Sequence, residues 1–230
     1  MHAFIEGHTF KRFDGELSHL HVLVLEMGRF VNTQLTDALL AFKNRNLELA
    51  QEVIDRDIHI DNLEVDADAE ILKVIARHCP VGSDLRVVIA VSKCVSDLEK
   101  IGDEAVRIAS LMAQMTVGSA GHLTPELIVD IDHIGNMALS NYQSAIELFD
   151  VWDEAKAHRV IDGHRQMDGE FQSELQRLMT YLMEETIEMG LAVNLVLVAK
   201  SLDRITHHAL NLAEYAMFEI KGIDVRLAQP

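Results

Sequence analysis

Glu99 and Asp103 stand four residues apart in the run Asp97-Leu98-Glu99-Lys100-Ile101-Gly102-Asp103-Glu104-Ala105-Val106-Arg107-Ile108-Ala109, whose apolar and small residues keep helical spacing. Both carboxylates therefore project from one side of a helix, where like charges repel unless a cation lies between them. An earlier acidic pair, Asp57 and Asp61, has the same spacing. Carboxylates at i and i+4 on facing helices are a donor set from which helix bundles build metal sites. Metal binding is the chemistry this pattern predicts.

The pattern repeats. A shift of 104 residues carries Leu98, Ile101, Ala105 and Ala109 onto Leu202, Ile205, Ala209 and Ala213, and Glu99/Asp103 onto Asp203/His207. A shift of 107 carries Val53-Ile54-Asp55 onto Val160-Ile161-Asp162, and Asp57/Asp61 onto His164/Asp168. Ala38, Phe42 and Ala50 recur as Ala145, Phe149 and Ala157 under the same shift. Each acidic pair is thus replaced by another pair able to ligate a metal. The mixed nitrogen and oxygen set suits Fe, Zn, Mn or Ni, and the all-oxygen set also suits Mg or Ca. His208, Asn211, Glu214 and Arg107 lie close enough in sequence to support these ligands from outside.

Six long helices joined by short turns must position the pairs. The first is expected from Thr9 to Lys43, with Phe13, Leu17, Leu20, Val24, Met27, Val31, Leu35, Ala38, Leu39 and Phe42 at helical spacing. A second runs from Leu47 to Cys79 and stops at Pro80-Val81-Gly82-Ser83. The third starts at Ser83 or Asp84 and reaches Met115; Val117-Gly118-Ser119-Ala120-Gly121 then joins two halves, 1–118 and 119–230. Thr124-Pro125-Glu126 opens a fourth helix to Val151, Trp152-Asp153-Glu154 a fifth to Met183, and a sixth spans Thr186 to Lys221, closed by Gly222. The fold class is all-α: two tandem three-helix bundles related by internal duplication. Asp61/Glu99 and Asp57/Asp103 are both centred on Pro80, so an antiparallel hairpin brings all four carboxylates together. Asp168/Asp203 and His164/His207 are centred between Glu185 and Thr186 and meet in the same way.

The formal charge of −17 opposes binding to nucleic acid or to an anionic leaflet. Cys79 and Cys94 form no disulfide framework and read as small core residues of a reducing compartment. No basic segment followed by an apolar run opens the chain, and no apolar stretch approaches the ~20 residues a membrane span needs. A cytoplasmic protein without membrane insertion is expected. Nucleophile-elbow, zinc-protease, P-loop and dinucleotide signatures are absent, as is any basic phosphate cradle, so phosphate itself is not expected to be sensed here.

Pro80-Val81-Gly82-Ser83-Asp84-Leu85-Arg86, followed by Asp97-Leu98-Glu99-Lys100-Ile101-Gly102-Asp103, closely resembles the PhoU family of phosphate-transport accessory proteins. The resemblance extends over essentially the whole chain in length, duplication and motif order. It implies two three-helix bundles, commonly dimeric, carrying multinuclear iron or zinc. It also implies a negative regulator that couples a phosphate transporter, through its ATPase subunit, to a sensor histidine kinase. Carried over by position, the ligands of the first half are Asp57, Asp61, Glu99 and Asp103. The second half departs from the family pattern: Asp203 and His207 stand where Glu and Asp are usual, His164 replaces the expected acid upstream, and Thr206 replaces the motif glycine. A metal-dependent phosphohydrolase or carboxylate-bridged oxidase on the same bundle is the alternative. A purely structural bundle with solvated acids is the third reading.

Overall fold

Ten apolar residues of the first segment, from Phe13 to Phe42, fall on one face and are all buried along α1 (Lys11–Asn44). In the computed structural model the described residues are 11–118, 124–151, 153–184 and 188–222, and they form seven helices without a strand. Asn46 caps α2 (Leu47–His78) by accepting from the backbone N–H groups of Glu48 and Leu49 at 3.0 and 3.1 Å. The helix closes on Cys79 in the left-handed conformation, and α3 (Ser83–Gly118) follows Gly82. Thr124 caps α4 (Pro125–Ile146), Asp153 caps α6 (Glu154–Glu184), and Gly222 at φ +68° closes α7 (Met189–Lys221).

Two expectations change. The fourth helix does not continue unbroken to Val151. It stops at Ile146, and a one-turn α5 (Leu148–Val151) follows, with Asp150 N–H bonded to Glu147 O at 3.2 Å. Leu148 and Phe149 are both fully buried, so the extra turn still faces the core. Cys79 is exposed at the end of α2, whereas Cys94 is a core residue as expected. The start at Thr9, most of the joint around 119–121 and the turn at Glu185 and Thr186 lie outside the described residues.

The two copies, α1–α3 and α4–α7, pack on one another through α3 against α7 and α1 against α4. Glu104–Arg204 at 2.8 Å and Asp97–His208 at 3.0 Å run in opposite senses along α3 and α7, so these helices are antiparallel. Burial would raise the Asp97 carboxyl, but His208, Lys100 and Tyr215 hold it below the usual range. Between α1 and α4, buried Tyr142 donates to Gly28 O at 2.6 Å. A side chain at Gly28 would meet Ile146 Cγ1 at 2.6 Å, so the contact depends on this glycine. Gly28→Ala is expected to cost about 1–3 kcal/mol through overpacking, read as a lower urea midpoint with unchanged m-value. No helix among the described residues is long and apolar enough to cross a membrane.

Candidate metal centre

The α2–α3 hairpin brings the four predicted acids of the first copy together. Asp57 is only partly exposed, and its carboxyl is raised from 3.8 to about 6 by burial, then by Asp61 and Asp103. Glu99 is raised from 4.5 to about 7 by burial, then by Asp103, Glu64 and Asp61, with Lys100 opposing. Asp103 is raised by burial and then by Asp61 and Glu104. Gln34 of α1 supports the cluster from behind, donating to Val53 O at 2.8 Å and to Asp57 Oδ1 at 3.5 Å. Gly102 lets α2 approach, since a side chain there would start 3.0 Å from Ile60 Cδ1 and 3.7 Å from Asp57 Oδ1. Three partly desolvated carboxylates with raised proton affinity, with Asp61 beside them, fit an oxygen-liganded cation.

Glu64 belongs to the same surface and was missed in sequence. Burial raises it first, then Asp68 and Asp61, with Lys100 opposing, then Asp103. Its place three residues after Asp61 and four before Asp68 was the available signal. Among the described residues, no three His, Cys, Asp or Glu side chains form a ready-made metal cage as they stand. Metal entry would therefore require the carboxylates to turn inward.

The second copy is assembled differently. His164 is buried, and its ring lies 6.3 Å from that of His207 in an edge-on arrangement. Burial lowers the His164 pKa, Asp168 opposes this, and His207 adds to it. Asp168 and His164 line one small cavity with Asn141 and Thr206. Asn141 is the counterpart of Gln34 and does the same work, its Nδ2 lying 2.6 Å from His164 Nδ1. With the amide turned so that its carbonyl accepts from Nδ1–H, Nε2 keeps a lone pair for a metal. Asp203 is less available: Lys200 holds its Oδ2 at 2.5 Å, and the buried Oδ1 lies 3.7 Å from His207 Nδ1. His207 Nδ1 is bonded to Asp203 O at 2.8 Å, leaving Nε2 as the nitrogen that could ligate. His208 does not support this site; it pairs with Asp97 between the copies.

A PhoU domain matches residues 24–112 and again residues 131–216. The chain belongs to the PhoU family. The two matches start and end at the offsets read from the duplication, 24 to 131 and 112 to 216. The chain is 34% identical over 227 residues to the phosphate-specific transport system accessory protein PhoU homolog of a Burkholderia species, covering 98% of this chain and 96% of that one. It is 29% identical to the Escherichia coli K12 accessory protein PhoU, over 96% of this chain and 90% of that protein. The crystal structure of PhoU from Pseudomonas aeruginosa superimposes with a TM-score of 0.84 at 34% identity, covering 92% of this chain and 100% of that one. PhoU from Streptococcus pneumoniae shares the fold, with a TM-score of 0.81 at 24% identity over 92% of this chain and 98% of that one. Within this PhoU-family frame, the second copy keeps the fold while replacing its glycine by Thr206, whose hydroxyl donates to Asp203 O at 2.7 Å.

Proposed function

We propose that this chain is a non-catalytic, cytoplasmic, metal-binding regulator of phosphate uptake. It would act beside a phosphate transporter's ATPase subunit and a sensor histidine kinase, restraining the phosphate-starvation response when phosphate is plentiful. The observation that carries the metal part is the burial and crowding of Asp57, Glu99 and Asp103 on facing helices, with Asp61 next to them. The names of its relatives support the transport part. Iron or zinc suits both centres, with Asp57, Asp61, Glu99 and Asp103 supplying oxygens, and His164, Asp168, Asp203 and His207 a mixed set. A homodimer is the expected assembly.

Complementation tests this reading. In a bacterium whose own PhoU is deleted, the chain should restore repression of a phosphate-starvation reporter in phosphate-replete medium. Asp57→Ala/Asp103→Ala should fold but fail to repress. Repression by the doubly substituted chain at parental levels would separate regulation from the metal centre.

A further inference from the structure

The two copies differ most sharply at a groove that the metal reading does not require. In the first copy the groove between α1 and α2 is plugged: Arg56 donates to Asp37, with Leu49 and Glu52 further along α2. Under the 107-residue shift these four positions become Gly163, Ser144, Lys156 and Arg159. The plug is gone, and nothing lies within 4 Å of where a Gly163 side chain would begin. A groove of about 320 Å³ takes its place between α4 and α6. Among the described residues, Lys156, Arg159, Ser144, Asn141 and His164 line it, and no acid does. The matching first-copy positions carry the acids Asp37, Glu52 and Asp57.

We propose that this groove binds a phosphate-type oxyanion. Lys156 and Arg159 are three residues apart on α6 and so share one face. The guanidinium fork matches two oxygens of a tetrahedral anion, and the ammonium adds a point charge. Lys156 now pairs with Glu147 Oε2 at 2.7 Å, but Glu147 is 63% exposed, and exposed pairs of this kind contribute little. An arriving anion replaces Glu147 on Lys156. The Ser144 hydroxyl now donates to Ser140 O at 2.8 Å and has only to rotate to reach the groove. At this volume the groove admits either free phosphate or the phosphoryl end of a nucleotide. The sequence shows no phosphate motif because two helices, each unremarkable alone, build the site. His164 is a shared wall, so the anion would sit against the second candidate metal centre. The site goes beyond the regulatory reading and needs no metal.

Calorimetric titration of the full chain, freed of metal by chelation and dialysed, tests the proposal. Inorganic phosphate and ATP are the probes, with chloride as the control anion. At least one phosphate-bearing probe should bind saturably, and the one that does identifies the source. Arg159→Glu should weaken it by about tenfold or more, the effect expected from a lost charge-assisted contact. Ser144→Asp/Gly163→Arg rebuilds the first copy's plug and should abolish binding while preserving helicity and melting temperature. No saturable binding of either probe to the parent would overturn the proposal, as would affinities left unchanged by both sets of substitutions. Because the samples are metal-free, either outcome is independent of the metal reading.

Discussion

Chelated protein is expected to lose stability as the pH rises from 4 to 8, the reverse of ordinary acid denaturation. Asp57 and Glu99 bind protons more tightly folded, at about 6 and about 7, than at their usual 3.8 and 4.5. The folded state thus holds more protons over that window. The stabilisation is complete below the usual values and is lost as the pH passes the raised ones. Both groups are partly solvated, so the shifts are discounted for screening to about 1–2 kcal/mol each. A metal that binds only the folded, ionised cluster restores about 2.7 kcal/mol at 100 times its dissociation constant. Its effect should grow with pH, because protons compete for the same oxygens. Urea midpoints at pH 5 and pH 8, with chelator and with added zinc, measure this. Asp57→Asn/Glu99→Gln should flatten the chelated profile and abolish the zinc effect. A chelated parent with flat stability across this range would show that the acids are simply solvated.

Glu219→Met is expected to stabilise the protein at neutral pH. Glu219 is buried on α7, neither carboxylate oxygen has a hydrogen-bond partner among the described residues, and burial pushes its pKa well above the carboxylate range. It also helps to raise the thiol of Cys94, after burial itself. The first copy has Met115 at the matching position, likewise buried, so the substitution installs a residue already accepted in this fold. Removing an unsatisfied buried polar group is worth about 1–3 kcal/mol. The gain should be smallest at low pH, where the acid is protonated in both states, and should increase as the pH rises above the usual glutamate value. Thermal melts of parent and variant at pH 4.5 and pH 7.5 check it. A destabilised variant at pH 7.5 would mean that the carboxyl is engaged by a partner.

The meeting of the first hairpin's acid pairs is legible because carboxylate spacing and hairpin register are both linear features of the chain. Asp57 and Asp103 are centred on Pro80, and α2 and α3 do turn there. The buried stripe from Phe13 to Phe42 was equally plain, since a one-faced helix writes its core into its period. What sequence missed depended on neighbours from other helices. His208 was grouped with the ligands by proximity in sequence, yet it lies on the side of α7 that meets Asp97 of α3. Asp203 looked equivalent to Glu99, but Lys200 on the same helix engages it. The break at Glu147 carries no Pro or Gly, so no local signal marks it. The groove at Gly163 emerges only when each copy is compared, position by position, with the packing of the other.

In the proposed regulator, each copy holds metal through its own hairpin. Elemental analysis of protein purified without chelator or affinity metal tests it most directly, run beside Asp57→Ala/Asp103→Ala and His164→Ala/His207→Ala. Stoichiometric iron or zinc is expected in the parent, with each double substitution removing only its own copy's share. Absence of stoichiometric metal from a folded parent, or equal metal in all three proteins, would contradict it.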